Sequence, residues 1–219
     1  MQNLQASLKS FLSASSNSKT RLLLVRKGES VSNYGGLICG WLDPRLTITG
    51  RKQANRLFHA FHPHMSHIDK FLSSDLKRCT EFADIALGFN GVNGKKLLMV
   101  DRRLRELDFG KDDGLHYDTL PLTEKARIDS IDYQAPEGES WKQVRERFLQ
   151  VITEQQAKTI LAFSHGGAIC SFTYGLGLEN MVPPASVIGI DFDKSSPSKS
   201  NIEFVWEYEE GTDEQAKSN

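Results

Sequence analysis

Six short apolar runs, several of them without polar alternation, constrain the fold of this chain more than any other feature. They are RLLLV (21–25), KFLSS (70–74), KLLMV (96–100), TILAFS (159–164), SVIGIDF (186–192) and IEFVW (202–206). Strands that are covered on both faces have this pattern, because neither face meets water. Amphipathic helical patterns lie between the runs. The sequence therefore predicts an α/β fold of three layers, a mostly parallel sheet with helices on both faces.

Three segments carry apolar residues at helical spacing. They are Thr49-Gly50 followed by RKQANRLFHAF, DLKRCTEFADIALG (75–88) and ESWKQVRERFLQVITEQQA (139–157). We expect Asp75 to cap the second helix at its N-terminus and Gly88 to end it. The segment from Lys111 to Ser140 is less regular and long enough to form a cap over a binding site.

One domain over residues 20–208 is the simplest organisation, with an N-terminal extension at 1–19 and an acidic tail at 209–219. Residues 1–19 contain many serines and no acid, which weakly suggests an organelle transit peptide. However, the first arginine is Arg21, and an ordinary surface helix or frayed tail is the simpler explanation of the segment. No apolar run is long enough to span a membrane, so we predict a cytoplasmic protein.

Charge and cysteine content exclude several classes of function. The chain has 27 basic and 28 acidic residues, a formal net charge of −1, which gives no overall attraction to nucleic acid or membranes. Any anion must therefore be recognised locally. Cys39, Cys79 and Cys170 form no CxxC pair, which argues against a disulfide framework or cysteine zinc site.

The histidine-rich segment HAFHPHMSH (59–67) raises the alternative of a metal protein. Pro63 interrupts the helix and no carboxylate partner is evident, so we predict neither a metal nor a cofactor.

Basic residues follow the ends of three predicted strands. Arg26 and Lys27 lie in LLLVRKGESVSN (22–33), Arg78 lies in SSDLKR (73–78), and His165 lies in SHGG (164–167). Each motif alone has an ordinary explanation. Arg26 and Lys27 could be a surface pair at a strand end, Arg78 a surface arginine and His165 a structural histidine. However, the carboxyl ends of parallel strands meet at one edge of a sheet, and arginine forks match phosphate oxygens. Together these residues predict a phosphate site.

The motifs LVRKGESVSN, GWLDPRLTITGRKQA, SSDLKR, LRELDFG, PEGES and SHGG stand in a recognisable order. From Arg21 to about Ile190 the chain resembles the histidine phosphatase superfamily, in its branch of phosphoglycerate mutases and fructose-2,6-bisphosphatase-like enzymes. The resemblance implies a phosphoglycerate mutase-like fold and a structural role for Glu29. It implies that Glu106 donates a proton to the leaving oxygen and that substrate touches the backbone of Cys39 and Gly40. The residues that it implies for phosphate binding are Arg26, Asn33, Arg78 and His165.

The chain departs from the family at the nucleophile. The family has a histidine after the leading arginine, and this sequence has Lys27. An ordinary lysine amine, with a pKa of ~10.4, is protonated and has no lone pair at neutral pH. The neighbouring arginines should lower this pKa, and a bound phosphate should raise it again. Loss of a covalent nucleophile can cost about 10⁶ in rate, whereas Lys27 adds a cation for phosphate binding.

Two functions follow from this resemblance. One is a phosphatase scaffold that hydrolyses phosphomonoesters of small metabolites, of the sugar phosphate or phosphoglycerate type, through a phosphohistidine, with turnover impaired here by Lys27. The other is a catalytically inactive pseudophosphatase that binds a phospho-ligand. Leu107 and Asp108 follow Glu106 where mutases usually carry basic residues, which favours phosphatase chemistry. The expected partner is a small phosphorylated metabolite, not nucleic acid or membrane; a homodimer and the natural or engineered origin of Lys27 stay open.

Overall fold

A computed structural model describes residues 2–14, 19–89 and 97–209. Six strands in these residues form one sheet in the order β3-β2-β4-β1-β5-β6. Their bounds are β1 Thr20–Arg26, β2 Lys70–Ser73, β3 Leu98–Val100, β4 Thr159–Ser164, β5 Val187–Phe192 and β6 Asn201–Trp206. Strands β3, β2, β4 and β1 are parallel, and β5 is antiparallel to both β1 and β6. The predicted mostly parallel sheet is confirmed.

Helices cover both faces of the sheet. They are α1 Gln2–Ser13, α2 Val31–Tyr34, α3 Ile48–Phe61, α4 Lys77–Leu87, α5 Leu122–Asp129, α6 Trp141–Thr153 and α7 Gly166–Tyr174. Alternate residues of β1 divide between two core clusters, since side chains alternate across a strand. Leu23 and Val25 pack with α1, α3 and α4, whereas Leu22 and Leu24 pack with α6 and α7. Burial on both faces explains why the strand sequence is continuously apolar.

The parallel strands bring their carboxyl ends to one edge, as the sequence predicted. Arg26 of β1 is in register with Ser164 of β4, and the Lys27 N–H donates to the Ser164 carbonyl at 2.8 Å. On the other side of β4, the Ser74 N–H donates to the Phe163 carbonyl at 3.0 Å. The motifs containing Arg26, Ser74 and His165 are therefore neighbours in space.

The expected capping role of Asp75 is wrong. Helix α4 begins at Lys77, and the Asp43 carboxylate accepts from the N–H groups of Lys77 and Arg78 at 2.6 and 3.2 Å. Asp75 instead forms a two-bond ion pair with Arg105, at 2.7 and 2.6 Å. The carboxylate that caps this helix is thus supplied by a distant loop. Gly88 ends α4 in the left-handed region with φ 68°, as predicted.

Helix α1 packs on the same core cluster as α3 and α4. Leu4 and Leu8 have no exposed surface, and Phe11 and Leu12 are also buried. The proposed boundaries at residues 19/20 and 208/209 stay predictions, and residues 210–219 of the acidic tail lie outside the described residues.

None of the helices in the described part of the chain is both long and apolar enough to cross a membrane. Residues His62–His67 form a 3₁₀ helix after α3. Over residues 2–14, 19–89 and 97–209, no group of three or more histidine, cysteine or acidic side chains is arranged to hold a metal ion.

Candidate phosphate site

Lys27 is buried at the carboxyl end of β1, with 4% of its surface exposed. Its Nζ donates to Ser30 Oγ at 2.8 Å and to Asn33 Oδ1. Burial, with Arg78 and Arg26 nearby, lowers the pKa of Lys27 to about 7. The amine is therefore divided between its charged and neutral forms near neutral pH.

Arg78 lies at the start of α4 and is 2% exposed. Its Nη2 donates to the Gly40 carbonyl at 2.6 Å, its Nη1 donates to the Leu42 carbonyl, and Asp43 Oδ1 lies 3.5 Å from Nη1. A buried arginine needs such acceptors, because an unpaired buried charge is costly. Arg78 consequently fixes the loop before Asp43 against the edge of the sheet.

His165 lies between β4 and α7 and is 1% exposed. Its Nε2 forms a hydrogen bond of 2.8 Å with Ser74 Oγ, while its Nδ1 is buried without a partner among the described residues. Burial, followed by the charges of Arg78 and Lys27, holds the pKa of His165 well below 6.5. The ring is therefore neutral at pH 7, and its unpaired nitrogen is available to a ligand.

Arg26 lies against the backbone of the SHGG turn. A Cβ on Gly166 would stand 2.7 Å from Arg26 Cζ, so only glycine leaves room for the guanidinium there. Arg26 donates from Nη1 to the Val182 carbonyl, and its Nε is buried without a partner among the residues described.

The structure brings Arg26, Lys27, Arg78 and His165 together. Each of the three cations is near enough to lower the pKa of the His165 ring, and the two arginines also lower that of Lys27. Their mutual repulsion would be relieved by an anion, and charged groups bind anions best where water is excluded. Three of the predicted phosphate-binding residues, Arg26, Arg78 and His165, therefore form one buried basic cluster with Lys27, whereas the fourth, Asn33, is exposed.

Glu106 stands at the boundary between this cluster and a cavity. It is 8% exposed; Oε1 accepts from the Leu107 N–H at 3.0 Å and Oε2 from the Gly167 N–H at 2.9 Å. Gly167 leaves room for this carboxyl, because a Cβ would lie 2.7 Å from Glu106 Oε1 and 2.6 Å from the Trp141 ring. The backbone carbonyl of Glu106 accepts from Trp41 Nε1 and from Arg147 Nη2, at 3.0 and 2.8 Å. The carboxyl is thus held in place by two backbone N–H groups, and its role as a proton donor stays a prediction.

The cavity has a volume of about 760 Å³, and Asn33, Glu106 and Gly167 are part of its wall. Part of the wall comes from the segment between Lys111 and Ser140, as expected for a cap. That segment contributes Tyr117, Asp118, Ile128, Asp129 and Ile131. A cavity of this size accommodates a small metabolite.

Residues 22–202 match the family described as the histidine phosphatase superfamily, branch 1. The chain belongs to this superfamily.

Relatives and solved structures agree with this membership. The chain is 31% identical over 172 residues to "Putative phosphoserine phosphatase 2" of Hydrogenobacter thermophilus, covering 74% of this chain and 82% of the relative. It is 31% identical over 161 residues to a 2,3-bisphosphoglycerate-dependent phosphoglycerate mutase of Allorhizobium ampelinum, covering 68% and 76%. A crystal structure of phosphoglycerate mutase from Thermus thermophilus superposes with TM-score 0.70 and 28% identity, covering 87% of this chain and 100% of that one.

The roles that the resemblance assigns to Cys39, Gly40 and Asn33 stay predictions for this superfamily member. The Gly40 N–H donates to Asp113 Oδ1 at 2.8 Å and its carbonyl accepts from Arg78, so both backbone groups have partners. Cys39 Sγ donates to the Leu42 carbonyl at 3.3 Å. Asn33 is exposed, and its Oδ1 accepts from Lys27 and Ser30.

Four residues of the site were given no role there from the sequence. Ser30 and Ser74 hold Lys27 and His165, Arg147 holds the Glu106 segment, and Trp141 lines the cavity. Ser74 stands within SSDLKR, directly after β2, so its place at a strand end was a usable signal. Arg147 offered none, since it looks like any arginine of a helix.

Proposed function

We propose that this chain binds phosphate monoesters of small metabolites, with the phosphate held by Arg26, Arg78 and His165. The observation that carries the proposal is the buried basic cluster, in which His165 Nδ1 and Arg26 Nε have no partner among the described residues. Buried polar atoms are rarely left unpaired, and a phosphate group would supply the missing partners. The alcohol part of the ester would occupy the adjacent cavity.

The parent scaffold is proposed to be a phosphatase. In it a histidine would attack phosphorus, Glu106 would protonate the leaving oxygen, and water would hydrolyse the phosphohistidine. The location of Glu106 between the basic cluster and the cavity supports this role. Leu107, which follows it, is fully buried, and Asp108 is acidic, so neither offers the cation expected in a mutase.

Lys27 should leave turnover severely reduced. Its Nζ donates hydrogen bonds to Ser30 Oγ and to Asn33 Oδ1, so two of its N–H groups already have partners within the protein. A bound phosphate dianion raises the pKa of the amine again, which removes the lone pair in the complex that should react. The cost is about 10⁶ in rate, near ~8 kcal/mol, while phosphate binding gains a cation.

The alternative is a pseudophosphatase that only binds a phospho-ligand. The burial of Lys27 and its two hydrogen bonds favour this alternative, since they give the lysine a structural role that needs no catalysis.

The Lys27→His variant tests the proposal, assayed with a panel of phosphate monoesters. We expect phosphatase activity to rise by several orders of magnitude, and Glu106→Gln in the same background to remove most of the gain. Lys27→Gln is the matched control, because it removes the lysine without supplying a nucleophile and should stay inactive.

Binding of vanadate and inorganic phosphate, measured by calorimetry, separates the outcomes. If Lys27→His binds both anions but has no activity, the phosphatase scaffold is wrong and the pseudophosphatase stands. If the unsubstituted chain binds neither anion, the proposed phosphate site is itself wrong.

A further inference from the structure

The charged residues in the wall of the cavity are all acidic. They are Glu106, Asp118, Asp129 and Glu179, and the described residues that line the cavity include no lysine, arginine or histidine. This wall contrasts with the basic cluster directly beyond Glu106. The two ends of the site therefore carry opposite charge.

Two of these carboxylates accept hydrogen bonds from the protein, and the other two are free to meet a ligand. Glu106 accepts from backbone N–H groups, and Asp129 Oδ2 accepts from the Tyr117 hydroxyl at 2.6 Å. For the carboxylates of Asp118 and Glu179, no hydrogen bond or ion pair is formed within the described residues, and both side chains are exposed. Lys125 contacts the Tyr117 ring at 5.3 Å and donates to the backbone carbonyl of Asp118, outside the cavity wall.

The rest of the wall is largely aromatic and aliphatic. Phe109 and Trp141 pack edge to face with ring centroids 6.1 Å apart, and Tyr117 and Tyr174 add two further rings. Aromatic faces combined with carboxylates favour organic ammonium groups, because both attract a cation. A carboxylate or second phosphate in the same place would be repelled by the four acidic residues that line the wall.

We infer that the site selects phosphate monoesters of amino alcohols, of the choline or ethanolamine type, over esters whose alcohol carries a carboxylate or a second phosphate. The inference rests on the proposed function, because the phosphate of such an ester must lie in the basic cluster. The ammonium group then lies among the aromatic rings, near Asp118 and Glu179.

Calorimetry on the full chain tests this with three probes: phosphocholine, 3-phosphoglycerate and inorganic phosphate. We expect phosphocholine to bind about tenfold more tightly than 3-phosphoglycerate, which corresponds to one favourable cation contact replaced by a repulsive one. The Asp118→Asn/Glu179→Gln variant should lose most of this preference.

A matched control removes two charges elsewhere. Asp132 and Glu146 are exposed acids outside the cavity wall, so Asp132→Asn/Glu146→Gln changes the net charge equally and should keep the preference. Conversely, Ile131→Lys places a cation in the wall at a half-exposed position and should tighten 3-phosphoglycerate binding.

The outcomes separate this inference from the proposed function. Binding of inorganic phosphate together with equal or tighter binding of 3-phosphoglycerate overturns the amino-alcohol preference and leaves the phosphate site intact. Equal loss of the preference in the control variant also overturns it, since the effect would then be one of net charge. Failure of all three probes to bind overturns both.

Discussion

At the scale of single residues, Lys27 makes stability depend on pH. Its pKa is about 7 in the folded protein and ~10.4 when unfolded, so between these values the unfolded chain binds the extra proton. The free energy of unfolding should therefore rise with pH in this window, by about 1 kcal/mol per pH unit. Urea unfolding at pH 7, 8 and 9 tests this against Lys27→Met, which cannot titrate. A stability difference between the two proteins that does not change with pH would contradict the buried, shifted lysine.

The same titration should affect anion binding. Sulfate keeps its charge over this range and His165 stays neutral, because its pKa lies well below 6.5. As pH rises from 6 to 9, Lys27 loses its proton and sulfate affinity should fall by about tenfold, the value of a hydrogen bond to a charged group. The dissociation constant can be measured by calorimetry, with Lys27→Met as the variant whose affinity should be weaker and insensitive to pH. Parallel pH profiles of the two proteins would assign the effect to another group.

At the scale of elements, the sequence was informative for strands covered on both faces and for helices with one apolar face, but not for α7, which is buried almost all round. All six strands and the helices α3, α4 and α6 were predicted, because a covered strand is continuously apolar and a packed helix has one apolar face. Helix α5 was missed within the segment described as irregular; it buries only Ile128, which leaves almost no periodic pattern.

Contacts between side chains that are distant in the sequence could not be predicted from it. Asp75 has the residue type and position of a helix cap. However, Asp43 accepts the hydrogen bond from the N-terminus of α4, and Asp75 pairs with Arg105 instead. The basic residues of the site were found because they follow strands, and parallel topology alone brings them together. That Lys27 and Arg78 are already bonded to Ser30 and to loop carbonyls depends on side-chain geometry, which motifs do not record.

Arg147 shows how one helix positions the segment that carries Glu106. From α6 it donates to the carbonyls of Arg103, Arg105 and Glu106 at 2.7 to 2.8 Å and pairs with Glu139 at 2.8 Å. A lysine head cannot make this fork of contacts.

We therefore expect Arg147→Lys, in the Lys27→His background, to lower kcat about tenfold or more with a smaller change in KM, since Glu106 would lose its position. Steady-state kinetics give the split, and Lys142→Ala, an exposed change on the same helix, should leave both constants unaltered. A change in KM alone would instead show that Arg147 acts on the substrate pocket.

At the scale of the whole molecule, the packing of helix α1 predicts that it unfolds together with the sheet as one cooperative unit. Leu8 is fully buried in the core cluster shared with α3 and α4, whereas its neighbour Lys9 is exposed. We expect Leu8→Ala to lower the free energy of unfolding by about 2–5 kcal/mol, the usual cost of truncating a buried leucine, and Lys9→Ala by less than about 0.5 kcal/mol. In thermal unfolding, each 1 kcal/mol corresponds to a Tm change of roughly 2–4 °C for a domain of this size. If Leu8→Ala were as stable as Lys9→Ala, α1 would unfold independently of the sheet, and the boundary predicted at residue 20 would be a real one.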